Sequence, residues 1–145
     1  MDIIIRPLEE CYVDQVCVLE EEAFSMPWQK SAFLEMIEDE KACYLVALKE
    51  EKVIAACGLR NILGEGEITN VVTGEDYRGQ GIGYFLLSHL MEEGRKMGVE
   101  AFTLEVRVSN SPAIRLYEKL GFSGEGIRKN FYEKPKEDAL IMWKR

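Results

Sequence analysis

The sequence predicts an α/β domain with one mixed sheet and helices on both of its faces. Three observations support this: three to four strand-like segments come first, a strand–helix–strand–helix unit follows, and a β-hairpin comes last. The 145 residues have the size of one domain. Because no linker, repeat or low-complexity segment interrupts them, we expect residues 1–145 to form a single domain.

The first elements are a short strand and two amphipathic helices. An apolar run at Ile3–Ile5 predicts the strand. Between about Glu9 and Phe24, apolar residues recur at helical spacing and predict the first helix. A second amphipathic helix follows the break at Pro27.

Three strands are expected next. The segments Ala42–Lys49 and Val53–Ile62 are strand-like and are joined by three polar residues, which predicts a hairpin. After a glycine-bearing link, Glu67–Thr73 predicts another strand.

The second half of the chain changes period. A helix is predicted from about Gly81 to Met97, and Phe102–Val106 is strand-like. Asn110 then provides a polar cap for a short helix with proline in its first turn. The segments Ser123–Tyr132 and Ala139–Lys144 predict the closing hairpin.

Composition and charge exclude several classes of protein. A net charge of −8 argues against nucleic-acid binding, which needs a basic face. An acidic surface attracts cations such as amines. The alternative is that the net charge only keeps the protein soluble. No apolar run is long enough for a membrane span, and the start of the chain lacks a signal peptide. We expect a cytoplasmic protein that binds neither membrane nor nucleic acid.

The four cysteines and the single histidine, His89, argue against a metal site. The cysteines lie singly within periodic apolar segments and form no CxxC pair, so we expect buried free thiols in a reducing compartment. One histidine is too few for a multi-histidine metal site. No metal cofactor is therefore expected.

The most informative segment is the glycine-rich turn Tyr77–Gly83, between a strand and a long helix. Glycines at alternate positions allow a tight bend and close approach of a ligand. The unpaired amides at a helix start suit a pyrophosphate. A nucleotide P-loop would need a lysine that is absent, and the dinucleotide motif GxGxxG fits poorly. A purely structural turn is the remaining alternative.

This turn also carries a family resemblance. The segment Arg78–Gly83 is similar to the Q/R-x-x-G-x-G/A signature of the GNAT superfamily of N-acetyltransferases, in which the turn holds the pyrophosphate of acetyl-CoA. The resemblance implies a central mixed, mostly antiparallel sheet of about seven strands with helices on both faces. It also implies acetyl-CoA as cosubstrate.

The likeness covers nearly the whole chain and is greatest to the RimI type, the bacterial enzymes that acetylate the N-terminal alanine of a small-subunit ribosomal protein. It includes Leu104–Phe122, Pro27-Trp28, Asn70 and Ile127–Tyr132. Thr69 differs, because RimI proteins tend to have a larger apolar residue there, and this difference bears on acceptor preference.

The resemblance also implies roles for single residues. Glu105 takes the place of the general base, and Tyr117 that of the acid facing the departing thiolate. The residues implied to contact acetyl-CoA are Val71, Val72, Thr73, Arg78, Gly79, Gln80, Gly81, Ile82, Gly83, Tyr84 and Asn110. Trp28 and Tyr132 are implied to line the acceptor groove.

Physical reasoning leaves alternatives for these residues. The side chain of Glu105 points to the face of its strand opposite to that of Leu104 and Val106, so it is either solvated or placed in a cleft. Tyr117 can equally be a core tyrosine, and Trp28 and Tyr132 can anchor a loop and a hairpin.

The expected reaction is direct transfer of acetyl to a primary amine. Deprotonating an α-amine at pH 7 costs roughly 1 kcal/mol, whereas a lysine ε-amine costs about 4 to 5 kcal/mol. This favours the N-terminal α-amine of a ribosomal protein, the acceptor that the RimI likeness implies. Open alternatives are a lysine side chain, a small amine such as a polyamine, and a non-catalytic acyl-CoA-binding regulator.

Overall fold

The computed structural model describes residues 2–145, which form a mixed sheet with helices on both faces. The strands are β1 (Ile4–Pro7), β2 (Ala42–Lys49), β3 (Lys52–Ile62), β4 (Glu65–Thr73), β5 (Ala101–Arg107), β6 (Ser123–Glu133) and β7 (Lys136–Lys144). The helices are α1 (Glu10–Ala23), α2 (Lys30–Glu38), α3 (Ile82–Lys96) and α4 (Ser111–Lys119). Each segment predicted as a strand or helix is one here, with ends that differ by a few residues.

The sheet has seven strands in the order β1-β2-β3-β4-β5-β7-β6. Every neighbouring pair is antiparallel except β4 and β5, which are parallel. The predicted mixed, mostly antiparallel sheet is therefore confirmed. The β2–β3 hairpin turns at Glu50 and Glu51, with φ angles of 51° and 68°, so its connection is shorter than the three residues expected.

The β4 and β5 strands pair over a short distance and then separate. Their register joins Glu65–Glu67 to Ala101–Thr103 and ends there. Beyond this point β4 continues beside β3, and β5 continues beside β7. The two strands therefore leave a gap between residues 68–73 and 104–107, in the middle of the sheet.

Two apolar cores lie on opposite faces of this sheet. One core packs α1 and α2 against the sheet through Val13, Val16 and Phe33. The other packs α3 and α4 against it through Leu90 and Leu120. The prediction of helices on both faces is confirmed, and the gap between β4 and β5 can be reached from either face.

The cysteines are all free thiols, as expected, but they are not all buried. Cys57 is fully buried on β3, whereas Cys11 is exposed. The prediction of four buried thiols was wrong for Cys11, because it lies on the outward face of α1. No helix within residues 2–145 is long and apolar enough to cross a bilayer.

Candidate active site

The glycine-rich turn has the backbone geometry that its sequence predicts. Gly79 and Gly81 have φ angles of 75° and 82°, which favour glycine. A Cβ at either position would meet no protein atom within 4 Å, so both face open space. Gly83 differs, because its Cβ would lie 3.2 Å from Leu116 Cδ2 on α4. The first two glycines therefore allow the turn and a close ligand, while the third allows helix packing.

The start of α3 is open for an anion. Gly81 is its N-cap, and no side chain caps the helix. The first N–H groups of a helix have no intrahelical partner, and the helix dipole places positive charge there. Arg78 Nε donates to the carbonyl of Thr73 at 3.2 Å, and Gln80 Nε2 to that of Asp76 at 3.2 Å, and both bonds fasten the turn. The segment can receive a diphosphate on its backbone amides.

A β-bulge lies in β4 beside the gap. Ala56 pairs with Val72, and Gly58 pairs with Thr69, so residues 70 and 71 both lie opposite a single residue of β3. Asn70 has a φ of 55°, a conformation that asparagine tolerates better than most residues. Because β5 has already diverged, backbone groups in this stretch face the gap. They are available to a ligand that passes between the strands.

The predicted base Glu105 lies on the α1 face of β5. Its neighbours Leu104 and Val106 are buried on the opposite face, as strand alternation predicts. The Glu105 side chain is 32% exposed, and its Oε2 forms an ion pair with Arg128 Nη1 at 2.9 Å. A carboxylate here is partly solvated and reachable from outside.

Glu105 borders a cleft of about 500 Å³ on this face. The α1–α2 loop forms one wall, the β6–β7 hairpin forms another, and the diverging parts of β4 and β5 form the floor. Lining side chains include Glu20, Trp28, Thr69, Asn70, Glu105 and Tyr132. Trp28 and Tyr132, which the resemblance assigned to an acceptor groove, thus lie at the same cleft as Glu105.

Tyr117 lies in the core on the other face of the sheet, together with Leu104 and Val106 of β5. It lies on α4 and is only 7% exposed, with its ring edge-on to Phe122. Burial raises the pKa of Tyr117, and the nearby Cys57 and Tyr132 raise it further. A phenol with a raised pKa is a poor proton donor but a good hydrogen-bond donor at neutral pH. Its hydroxyl can stabilise a thiolate without transferring its proton.

We expect Tyr117→Phe to lower kcat by about tenfold. This loss corresponds to about 1.5 kcal/mol, the contribution of one hydrogen bond to a charged group. Because the raised pKa keeps the hydroxyl protonated, this loss should be the same from pH 6 to pH 9. A steady-state pH profile of both proteins checks it. A loss that changes across this range would show that Tyr117 titrates.

Asn110 has a structural task in addition to its implied contact with acetyl-CoA. It is the N-cap of α4, and its Oδ1 accepts from the Ala113 N–H at 3.3 Å. The predicted cap is therefore confirmed. Only the Nδ2 amide of Asn110 remains available to a ligand.

Arg107 is a cleft residue that sequence reasoning missed. Its guanidinium donates to Glu137 Oε1 at 3.1 Å and stacks 4.3 Å from the centre of the Tyr132 ring. Glu137 also accepts from the Ser109 N–H at 2.8 Å. The Ser109 side chain is the main cause of the lowered pKa of Glu137, and this N–H and Arg107 lower it further. Glu137 thus positions Arg107 and, through it, Tyr132. No local signal joins these residues, because Arg107 and Glu137 are 30 positions apart.

Glu20 was also missed. It is 0% exposed, and its Oε1 accepts from Asn70 Nδ2 at 2.7 Å. A signal was available, because Val13, Val16 and Glu20 share the core-facing side of α1. An acidic residue on such a side is unusual and points to a role at the site.

Comparison with known proteins identifies the family. The sequence profile of the acetyltransferase (GNAT) family matches residues 13–122. The chain belongs to the GNAT acetyltransferase family. It is therefore an acetyl-CoA-dependent N-acetyltransferase, and the turn, the uncapped α3 and the gap form a fitting cradle for that cosubstrate.

Relatives within the GNAT family include curated bacterial proteins. The [ribosomal protein bS18]-alanine N-acetyltransferase of Escherichia coli is 37% identical over 140 residues, covering 95% of this chain and 94% of its own. A Bacillus subtilis protein to which the same activity is provisionally assigned is 40% identical over 132 residues, covering 90% of this chain and 87% of its own.

Solved structures agree with the GNAT fold. The crystal structure of the ribosomal-protein-S18-alanine N-acetyltransferase from Escherichia coli superposes with a TM-score of 0.88 at 34% identity, covering 99% of this chain and 93% of that one. Ard1 from Thermoplasma volcanium, with a TM-score of 0.90 and 22% identity over 99% of this chain and 97% of its own, shares the fold.

Proposed function

We propose that residues 1–145 act as one domain that acetylates the N-terminal α-amine of a ribosomal protein, and that this protein is bS18. The observation that carries the proposal is the open cleft at Glu105, which meets the gap between β4 and β5 from the α1 face. The 37% sequence identity between this chain and the Escherichia coli bS18-alanine acetyltransferase supports the same acceptor.

The chain's own groups divide the work of the reaction. Bound acetyl-CoA supplies the activated acetyl group. The amides of the turn from Arg78 through Gly83 to Tyr84 bind its diphosphate, and Asn110 contacts its arm. The backbone of Val71–Thr73 holds the pantetheine and offers an N–H to the thioester oxygen.

Glu105 and Tyr117 act on the reacting groups from opposite faces of the sheet. Glu105 accepts the proton that the amine loses as its new bond to carbon forms. Tyr117 donates a hydrogen bond to the sulfur from the α4 face. Trp28 and Tyr132 enclose the backbone of the acceptor in the cleft. Most of the acceleration comes from holding both substrates in line.

A peptide that copies the alanine-starting N-terminus of bS18 tests the acceptor. We expect mass spectrometry to find one acetyl group, on the α-amine. The matched control is the same peptide with a formylated N-terminus and a free lysine, which should remain unmodified because its ε-amine is almost fully protonated at pH 7. Acetylation of the lysine or of a polyamine, with none on the α-amine, would reject the proposed acceptor. Binding of CoA without turnover of any amine would favour the regulator.

A further inference from the structure

Three buried polar atoms lack a hydrogen-bond partner among residues 2–145: Glu20 Oε2, the Tyr44 hydroxyl and Thr69 Oγ1. Buried polar atoms in folded proteins are nearly always hydrogen-bonded, either to the protein or to internal water. Three such atoms at one place would form a site for water. Their relative positions therefore decide what they can do.

The sheet register brings two of these residues into one row. Tyr44 on β2 pairs with Gly58 on β3, and Gly58 pairs with Thr69 on β4. The Tyr44 ring lies over Gly58, since a Cβ at Gly58 would be only 2.4 Å from Tyr44 Cδ2. The aromatic ring thus lies in the row that leads to Thr69.

Glu20 reaches the same place from α1. Its Oε1 binds Asn70, the residue next to Thr69, at 2.7 Å. Tyr44 lies in the same core as Val13 and Val16 of α1, the helix that carries Glu20, and the Glu20 carboxylate adds to the burial that raises the pKa of Tyr44. Glu20 and Thr69 both line the cleft that contains Glu105. Glu20 and Thr69 thus bring two of the unpaired atoms to this cleft, and Tyr44 lies in the row that leads to Thr69.

The surroundings of Glu20 favour its binding a proton. Burial raises the pKa of Glu20, and the hydrogen bond from Asn70 and the nearby backbone of Trp28 oppose this shift. No lysine or arginine in the described chain forms an ion pair with it. The other titratable groups near this cluster are the Cys17 thiol on α1 and the groups that line the same cleft, namely Glu105, Arg107, Tyr132, Glu133 and Lys134.

Glu105 differs from Glu20 in this respect. Its carboxylate forms an ion pair with the Arg128 guanidinium at 2.9 Å, whereas Glu20 has no such partner among the described residues. Two carboxylates at one cleft thus have different environments, which suits them to different proton transfers.

We propose that Glu20, Tyr44 and Thr69 bind an internal water at the inner end of the acceptor cleft, and that Glu20 takes up through this water the proton that the acceptor ammonium loses before attack. This inference rests on the proposed function, in which the acceptor is an α-amine.

The proton balance of the reaction is complete. The N–H bond of the ammonium breaks and leaves its electron pair on nitrogen, the water receives that proton, and the water gives one to Glu20 Oε2. The neutral amine then bonds to the acetyl carbon and loses a second proton to Glu105, which passes it to the CoA sulfur as the C–S bond breaks. Glu20 returns the first proton to solvent after product release.

The Glu20→Gln variant tests this step through its pH dependence. Glutamine can still accept from Asn70, so the β4 bulge keeps its anchor, but it cannot take up a proton. We expect kcat/KM for the alanine-starting peptide to fall about five- to tenfold at pH 7, the factor that corresponds to the cost of roughly 1 kcal/mol for deprotonating the α-amine. Above the pKa of the α-amine, near 8, the amine is already neutral, and the deficit should disappear by pH 9.5.

Three further variants sharpen the test. Tyr44→Phe and Thr69→Val each remove one partner of the water and should cause a smaller loss with the same pH dependence. Glu21→Gln makes the same change at the next, exposed position of α1 and should behave as wild type. Melting temperature and CoA affinity confirm that each variant is folded.

A Glu20→Gln deficit of equal size at pH 7 and pH 9.5 would overturn the inference, because Glu20 would then only position Asn70. Wild-type activity in this variant at pH 7 would overturn it as well. Failure of the proposed function is distinguishable, because the wild-type protein would then acetylate no α-amine at either pH.

Discussion

Glu105→Gln is expected to lower kcat for an α-amine acceptor by about 100-fold or more and to leave CoA affinity unchanged. The reason is geometric: Glu105 lies on the cleft face of β5, while the binding turn lies at the start of α3. The loss should persist at pH 9.5, since Glu105 takes its proton after the carbon–nitrogen bond has formed. Steady-state kinetics with calorimetry of CoA binding measures both quantities.

A matched control exists for this substitution. Glu125 is 36% exposed, compared with 32% for Glu105, and it too is paired with an arginine, Arg145. It does not line the cleft. Glu125→Gln should therefore leave kcat unchanged. Equal activity in Glu105→Gln and wild type would reject the assignment of Glu105 as base.

Gly81→Ala is expected to weaken CoA binding by about 10- to 100-fold. Its Cβ would enter the open space at the start of α3, where a diphosphate needs to approach the backbone. Losing one hydrogen bond to a charged group costs about 1.5–3 kcal/mol, which corresponds to that range. Calorimetric titration with CoA gives the affinity directly.

Gly98→Ala separates backbone strain from ligand contact. Gly98 follows the other end of α3 with a φ of 93°, and the nearest atom to its Cβ would be Asn61 Nδ2 at 4.0 Å. Both alanines incur a similar cost of about 1–2 kcal/mol for the left-handed conformation. Only Gly81→Ala should lose CoA affinity. Equal affinities in the two variants would show that the turn at Gly81 does not bind the diphosphate.

Local pattern in the sequence was sufficient for much of this molecule. Periodicity predicted the helices and strands, and alternation around Leu104 and Val106 placed Glu105 on the opposite face of its strand. The glycines at 79 and 81 predicted a tight turn, and both have positive φ in the structure. The cap at Asn110 was equally readable. These features depend on a few neighbouring residues, and so local reasoning reached them.

Contacts between distant residues could not be predicted in this way. Glu20 and Asn70 are 50 positions apart, and only the packing of α1 against the bulge of β4 joins them. Glu137 and Arg107 are likewise 30 positions apart, and the pairing of β5 with β7 brings them together. The gap between β4 and β5 depends on the residues at which their pairing ends. The local sequence pattern of either strand does not predict this point.

The short pairing between β4 and β5 determines how the two reactants meet. Their registered contact ends at Glu67 and Thr103, so the central sheet has an aperture lined by main chain. Donor and acceptor can enter this aperture from opposite faces and be bound at the same time. The acetyl group can then be transferred directly, without a covalent acetyl-enzyme intermediate. Cys57 is fully buried on β3, and this direct transfer does not require its thiol.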